Sequence, residues 1–142
     1  MLLGATSWAG DWDAFGVWKL NPARSTPAGD QKIVTVRIAP HARGVVFTLE
    51  TVTADGRAST SSTILYFDGK ARSFRDSVCS GTQSSQRLDG RTVEILRTCT
   101  SGESTRLIRL LAVQSRDLTF EITEQFPDGR GFQRRLVLEK EK

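Results

Sequence analysis

The sequence predicts an all-β fold, an up-and-down antiparallel meander closed into a small barrel of eight to ten strands. From residue 31 onward, apolar residues recur at every second position in short runs, the period of a strand with one buried face. Glycine-containing turns separate the runs, and four of them place Asp-Gly before a basic residue. Asp-Gly readily takes the positive φ that tight hairpins demand. No stretch carries the i, i+3, i+4, i+7 apolar stripe of a packed helix. Short turns make sequential strands neighbours, and a meander of about ten strands closes because closure removes edges that invite aggregation. A two-sheet sandwich is the competing architecture.

Phe15 to Leu20 opens the series, and a polar connector with Pro22 and Pro27 follows it. In Ile33 to Ala39 the residues Val34, Val36 and Ile38 share a face, as do Val45, Phe47 and Leu49 in Arg43 to Val52. Thr60 to Phe67 comes after the Ala54-Asp55-Gly56-Arg57 turn, and Arg72 to Val78 after Phe67-Asp68-Gly69-Lys70. Gln83 to Leu88 and Arg91 to Thr100 flank Leu88-Asp89-Gly90-Arg91, and Val93, Ile95, Arg97 and Cys99 share one face of the second. Ser104 to Val113, Leu118 to Phe126 and Gly131 to Lys140 complete the set. A three-residue Pro127-Asp128-Gly129 loop pairs Glu124 with Phe132, Ile122 with Arg134, Phe120 with Leu136 and Leu118 with Leu138, so both apolar faces coincide. Glu124 and Arg134 then point inward with Leu118, Phe120, Ile122, Phe132 and Leu136.

A length of 142 residues supports one core, which assigns residues 15–142 to a single domain and 1–14 to a tail. The tail is uncharged up to Asp11, and Ser7-Trp8-Ala9 has the small-x-small form of a cleavage site. It reads either as a signal-peptide remnant or as a simple tail. The 38% hydrophobic and 25% charged residues match an ordinary globular domain, and no run of 18 apolar residues provides a membrane span. The net charge of +4 is scattered from Lys19 to Lys142 instead of gathered in a stripe, so no nucleic-acid partner is expected.

Cys79, Cys99 and His41 are the only soft ligand groups, fewer than the four of a structural zinc site, and no metal is expected. The serines of Ser59-Thr60-Ser61-Ser62 and Ser84-Ser85 have no histidine base nearby in sequence and no Gly-x-Ser-x-Gly elbow. Phosphate-binding glycine loops are absent as well, so neither a catalytic residue nor a cofactor is assigned. What remains is an inward polar set: Arg97, Glu124 and Arg134. Buried charges cost several kcal/mol each unless they pair, face water or sit at the barrel mouth. Glu124 with Arg134 forms a structural ion pair in one reading; in the other, the arginines contact the acidic group of a ligand.

Phe15-Gly16-Val17-Trp18-Lys19-Leu20-Asn21-Pro22-Ala23-Arg24-Ser25 resembles the Gly-x-Trp start of the calycins, the lipocalins and fatty-acid-binding proteins. More closely it is similar to short exported bacterial lipocalin-like proteins that open with Gly-x-Trp-Lys-Leu-Asn. Those proteins share Ala-Asp-Gly and Phe-Asp-Gly-Lys turns, matched here by Ala54-Asp55-Gly56 and Phe67-Asp68-Gly69-Lys70. The resemblance implies that Gly16 bends the first strand, that Trp18 plugs one barrel end, and that an arginine of the last strand, Arg134, lies across the indole. It also marks departures. The connector Asn21 to Asp30 is too short for a two-helix lid, the Arg-x-Tyr carboxylate motif is missing, and His41 lies in a turn, which suits a surface residue better than a heme ligand.

Export, periplasmic or secreted, favours a Cys79–Cys99 disulfide. A two-residue Asp89-Gly90 turn sets Cys99 opposite Ser80, and a three-residue Leu88-Asp89-Gly90 loop sets it opposite Cys79. The expected function is binding of a small apolar or amphiphilic molecule in the interior, contacted by Phe47, Phe120, Ile122 and Leu136 with Arg97, Arg134 and Glu124 as polar partners. The alternatives are an isomerase- or cyclase-like enzyme using the same pocket, and a filled barrel with a structural or interaction role. The oligomeric state is not legible.

Overall fold

Each alternating run pairs with a sequence neighbour. The computed structural model describes residues 14–26, 31–75, 80–100, 104–114 and 116–141. Its ten strands are β1 Gly16–Leu20, β2 Gln31–His41, β3 Gly44–Thr53, β4 Ala58–Leu65, β5 Arg72–Arg75, β6 Ser80–Arg87, β7 Thr92–Cys99, β8 Ser104–Gln114, β9 Asp117–Gln125 and β10 Gly131–Lys140. They form one antiparallel sheet in the order β4-β3-β2-β1-β10-β9-β8-β7-β6-β5, curled into a nearly closed barrel. The first and last strands pair through Trp18 with Lys140, Lys19 with Glu139 and Leu20 with Leu138. The expected β9–β10 register holds throughout, with Glu124 opposite Phe132, Arg134 opposite Ile122 and Leu136 opposite Phe120.

Turn chemistry explains most of the connections. Gly56 and Gly129 take φ values of 86° and 90° in their hairpins. Gly69 is also left-handed, at 73°, but its turn is no hairpin, because no ladder joins β4 to β5 among the described residues. The β6–β7 turn departs from both expected registers. Leu88 N–H bonds to the Thr92 carbonyl, so the loop is Asp89-Gly90-Arg91 and Cys99 stands opposite Gly81. Asp89 selects this loop, one residue further along than Leu88-Asp89-Gly90, by accepting the backbone N–H groups of Arg91 and Thr92, at 2.8 and 2.9 Å. Gly81 cannot carry a side chain there, since a Cβ would lie 1.9 Å from the Thr98 carbonyl oxygen. Cys79 lies outside the described residues, as do Trp8 and Trp12.

The inward faces make one apolar cluster that includes Trp18, Val36, Ile38, Val45, Phe47, Leu49, Ile95, Phe120, Leu136 and Leu138, with Ile122 against it. A register shift between Ile33 and Thr35 hands the inward position to Ile33, so Val34 does not line the interior. Phe132 continues the inward face of β10 past the rim and is half exposed. Trp18 is fully buried and donates its indole N–H to the Ala14 carbonyl at 2.9 Å, which places Ala14 in the barrel and not in the tail. The cation over its ring is Lys140, 5.5 Å from the centroid, and not the expected Arg134. The register is the reason: Lys140 is opposite Trp18, whereas Arg134 lies six residues down the strand beside Ile122.

Between β1 and β2 the chain makes a 3-10 turn over Pro22–Arg24 and runs along the β10 edge that β1 leaves bare. Asn21 N–H bonds to the Val137 carbonyl, Thr26 N–H to that of Arg135, and Val137 N–H to the Ser25 hydroxyl. Asp117 and Glu139 stand opposite each other across β9–β10, and Arg24 bonds both at 2.8 Å. The bridge cancels a like-charge cross-strand pair.

We expect Trp18→Ala to destabilise the fold by about 3–5 kcal/mol, as large core truncations do. Lys140→Gln removes only an exposed cation-π contact and should cost about 1 kcal/mol or less. Denaturant unfolding of the two variants measures both.

Candidate ligand-binding site

The break in the sheet creates the site. β4 and β5 face each other without a ladder, and the connector between them, residues 66–71, is tied instead to β6. Gly69 N–H bonds to the Ser85 carbonyl at 2.8 Å, Phe67 N–H to the Ser85 hydroxyl at 3.1 Å, and Asp68 forms a single bridge with Gln86. Phe67 takes a φ of 58°, a conformation uncommon for a bulky residue, where the chain turns across this gap. A cleft of about 350 Å³ opens along the seam. Ser62, Thr63 and Ile64 of β4 form one wall, Gln83, Ser84 and Ser85 of β6 the other, and Tyr66, Lys70, Arg72 and Ser73 complete the lining.

Behind the cleft lies a buried polar chain. Arg97 is 1% exposed; its Nε–H donates to Gln83 Oε1 at 2.7 Å, and its guanidinium lies 4.1 Å from the Phe74 ring centroid. Gln83 is also buried, and its Nε2 donates to the Thr63 hydroxyl at 3.0 Å, spanning the seam from β6 to β4. The guanidinium offers only donors, which fixes the amide oxygen toward Arg97 and the amide N–H groups toward the seam. At the rim, Arg72 clasps both carboxylate oxygens of Asp68, at 2.9 and 2.6 Å, and lies 4.2 Å over the Tyr66 ring. This fork, assisted by the Lys70 N–H, holds the Asp68 carboxyl well below the usual range. On the far wall, Arg24 lowers Asp117 in the same way.

The expected site residues fall into three places. Phe47, Phe120 and Leu136 are buried in the core, where the Phe47 and Phe120 rings stack at 5.9 Å between centroids. Leu49 pairs with Val36 in the row of Trp18, and Ile122 is half-buried opposite Arg134. Glu124 and Arg134 are half-buried diagonal neighbours on β9 and β10 near the opposite rim, across the barrel from the seam. His41 is exposed at the end of β2. Gln83, Thr63, Phe74, Tyr66, Lys70 and Arg72 were not legible as site residues, because nothing local distinguishes a paired β4–β5 turn from an open one. No three His, Cys, Asp or Glu side chains among the described residues form a metal cluster.

Comparison places the fold. No family profile and no curated protein matches the chain by sequence. A solved fatty acid binding protein of Schistosoma mansoni, in complex with arachidonic acid, superposes with a TM-score of 0.57 at 11% identity, over 92% of this chain and 97% of its own. A point mutant of the fluorescent protein UnaG superposes at 0.51 and 12% identity, over 90% and 96%. The ten-stranded architecture is thus that of the calycin barrels.

Protonation of Asp68 and Asp117 should weaken the folded state. Their folded pKa values lie below the unfolded one of about 3.9, so the stability they add is present above that pH and lost as pH falls through the lowered values. Melting temperature measured from pH 6 to pH 2 should fall in that acidic window, and by less in Asp68→Asn.

Proposed function

We propose that the protein is an exported binding module that holds a small apolar or amphiphilic molecule in the barrel interior. The buried Arg97–Gln83–Thr63 chain beside an open seam carries this reading. It sets fixed polar donors next to apolar wall, the combination that orients an amphiphile. A fold-mate that binds arachidonic acid supports it. Phe47, Phe120, Ile122 and Leu136 supply the apolar interior, Arg97 the polar group beside the seam, and Arg134 with Glu124 a second polar pair at the opposite rim. Export rests on the composition of residues 1–9 and on the two cysteines.

Fatty acids, retinoids, aromatic acids and quinones are the compounds to screen by thermal shift. A ligand at 100 times its dissociation constant adds about 2.7 kcal/mol and raises the melting temperature by several degrees. Arg97→Ala, referred to its own unliganded melting point, should lose more of the shift with acids than with neutral analogues. No shift with any amphiphile refutes the proposal.

The disulfide is tested separately. Protein purified from an oxidising compartment without reductant should show no free thiol after denaturation, and reduction should cost roughly 3 kcal/mol for a loop of this size. Two titratable thiols would place Cys79 and Cys99 apart.

A further inference from the structure

The seam cleft has a chemistry of its own, and it is a donor's chemistry. The Gln83 amide has one N–H on Thr63 and a second left on the seam side, because Arg97 claims the oxygen. Tyr66 and the serines add hydroxyls, and two cations, Lys70 and Arg72, stand at the rim. Asp68 neutralises one of them through the Arg72 fork. The Lys70 side chain enters no ion pair among the described residues, so the rim carries one uncompensated positive charge. A volume of about 350 Å³ is within the range of roughly 300–1,000 Å³ of small-molecule sites.

We propose that this lateral cleft receives the carboxylate head of an acidic amphiphile, with Lys70 and the Gln83 amide as its partners and Arg97 as a positioning residue acting through Gln83. A single net charge matches a monoanion, and the donors match two carboxylate oxygens. The head thus enters between β4 and β5 and not through a barrel end, and the tail lies along the cleft against its apolar lining, Ile64 and the Tyr66 ring. The inference rests on the binding role proposed above and deepens it.

Dodecanoic acid and 1-dodecanol, titrated against the full chain at pH 7.5, separate head from tail. The wild type should prefer the acid. Lys70→Gln, an exposed substitution, should weaken the acid by about three- to tenfold and leave the alcohol unchanged. Arg135→Gln, an exposed change of equal charge on β10 across the barrel, should alter neither. If the wild type prefers the acid and Lys70→Gln keeps the full preference, the head lies elsewhere and the seam site is refuted while the binding role stands. Equal losses for acid and alcohol in Lys70→Gln also refute it, since the cleft would then hold the tail. If the wild type binds neither compound nor any other amphiphile, the binding role falls and the seam site with it.

Discussion

The backbone ladder between the first and last strands is the constraint on which the rest depends. Its three pairs, Trp18 with Lys140, Lys19 with Glu139 and Leu20 with Leu138, bring the two ends of the chain into one sheet. Trp18 sits at that junction, fully buried, its indole N–H satisfied by Ala14 and its ring under Lys140. Where β1 stops, the stretch from Asn21 to Thr26 continues the bonding to β10, and Arg24 fastens it to Asp117 and Glu139. A buried amide without a partner costs about as much as a lost hydrogen bond, so a short first strand demands such a continuation.

Closure at β1–β10 moves the one break in the sheet to the middle of the chain, between β4 and β5. Strand edges left open there invite pairing with another chain. The connector 66–71 blunts the β6 edge by bonding to Ser85 and Gln86, and the Gln83 side chain reaches over to Thr63. Arg97 belongs to the same arrangement. A guanidinium shut inside a barrel needs an acceptor and a π-face, and it finds both in Gln83 and Phe74. Phe47 and Phe120 stack within the apolar cluster, and the side chains turn polar toward the seam.

At 11–12% identity the likeness to the solved barrels extends to the fold alone. Side-chain roles do not transfer across that distance, and the site must be argued from its own atoms. The short connector after β1 illustrates the point: it lies as a bonded edge along β10 and supplies no helical lid among the described residues.

Alternation along each strand, the Asp-Gly turns and the three-residue Pro127-Asp128-Gly129 loop determined by themselves the ten strands, their antiparallel order and the β9–β10 register. All three are local signals, acting over two to ten residues. The inward placement of Phe47, Phe120, Leu136 and Arg97 was legible for the same reason. Tertiary structure decided what depends on a partner from elsewhere in the chain. Lys140, not Arg134, meets Trp18 because strand stagger fixes which residue arrives there. Cys99 faces Gly81 because Asp89 holds the turn over residues 89–91, one residue further along. The bulge before Thr35 turns Ile33 inward in place of Val34. Above all, Phe67-Asp68-Gly69-Lys70 looks like its three sister turns but closes no hairpin, because β6 takes up its hydrogen bonds, and the candidate site exists only through that choice.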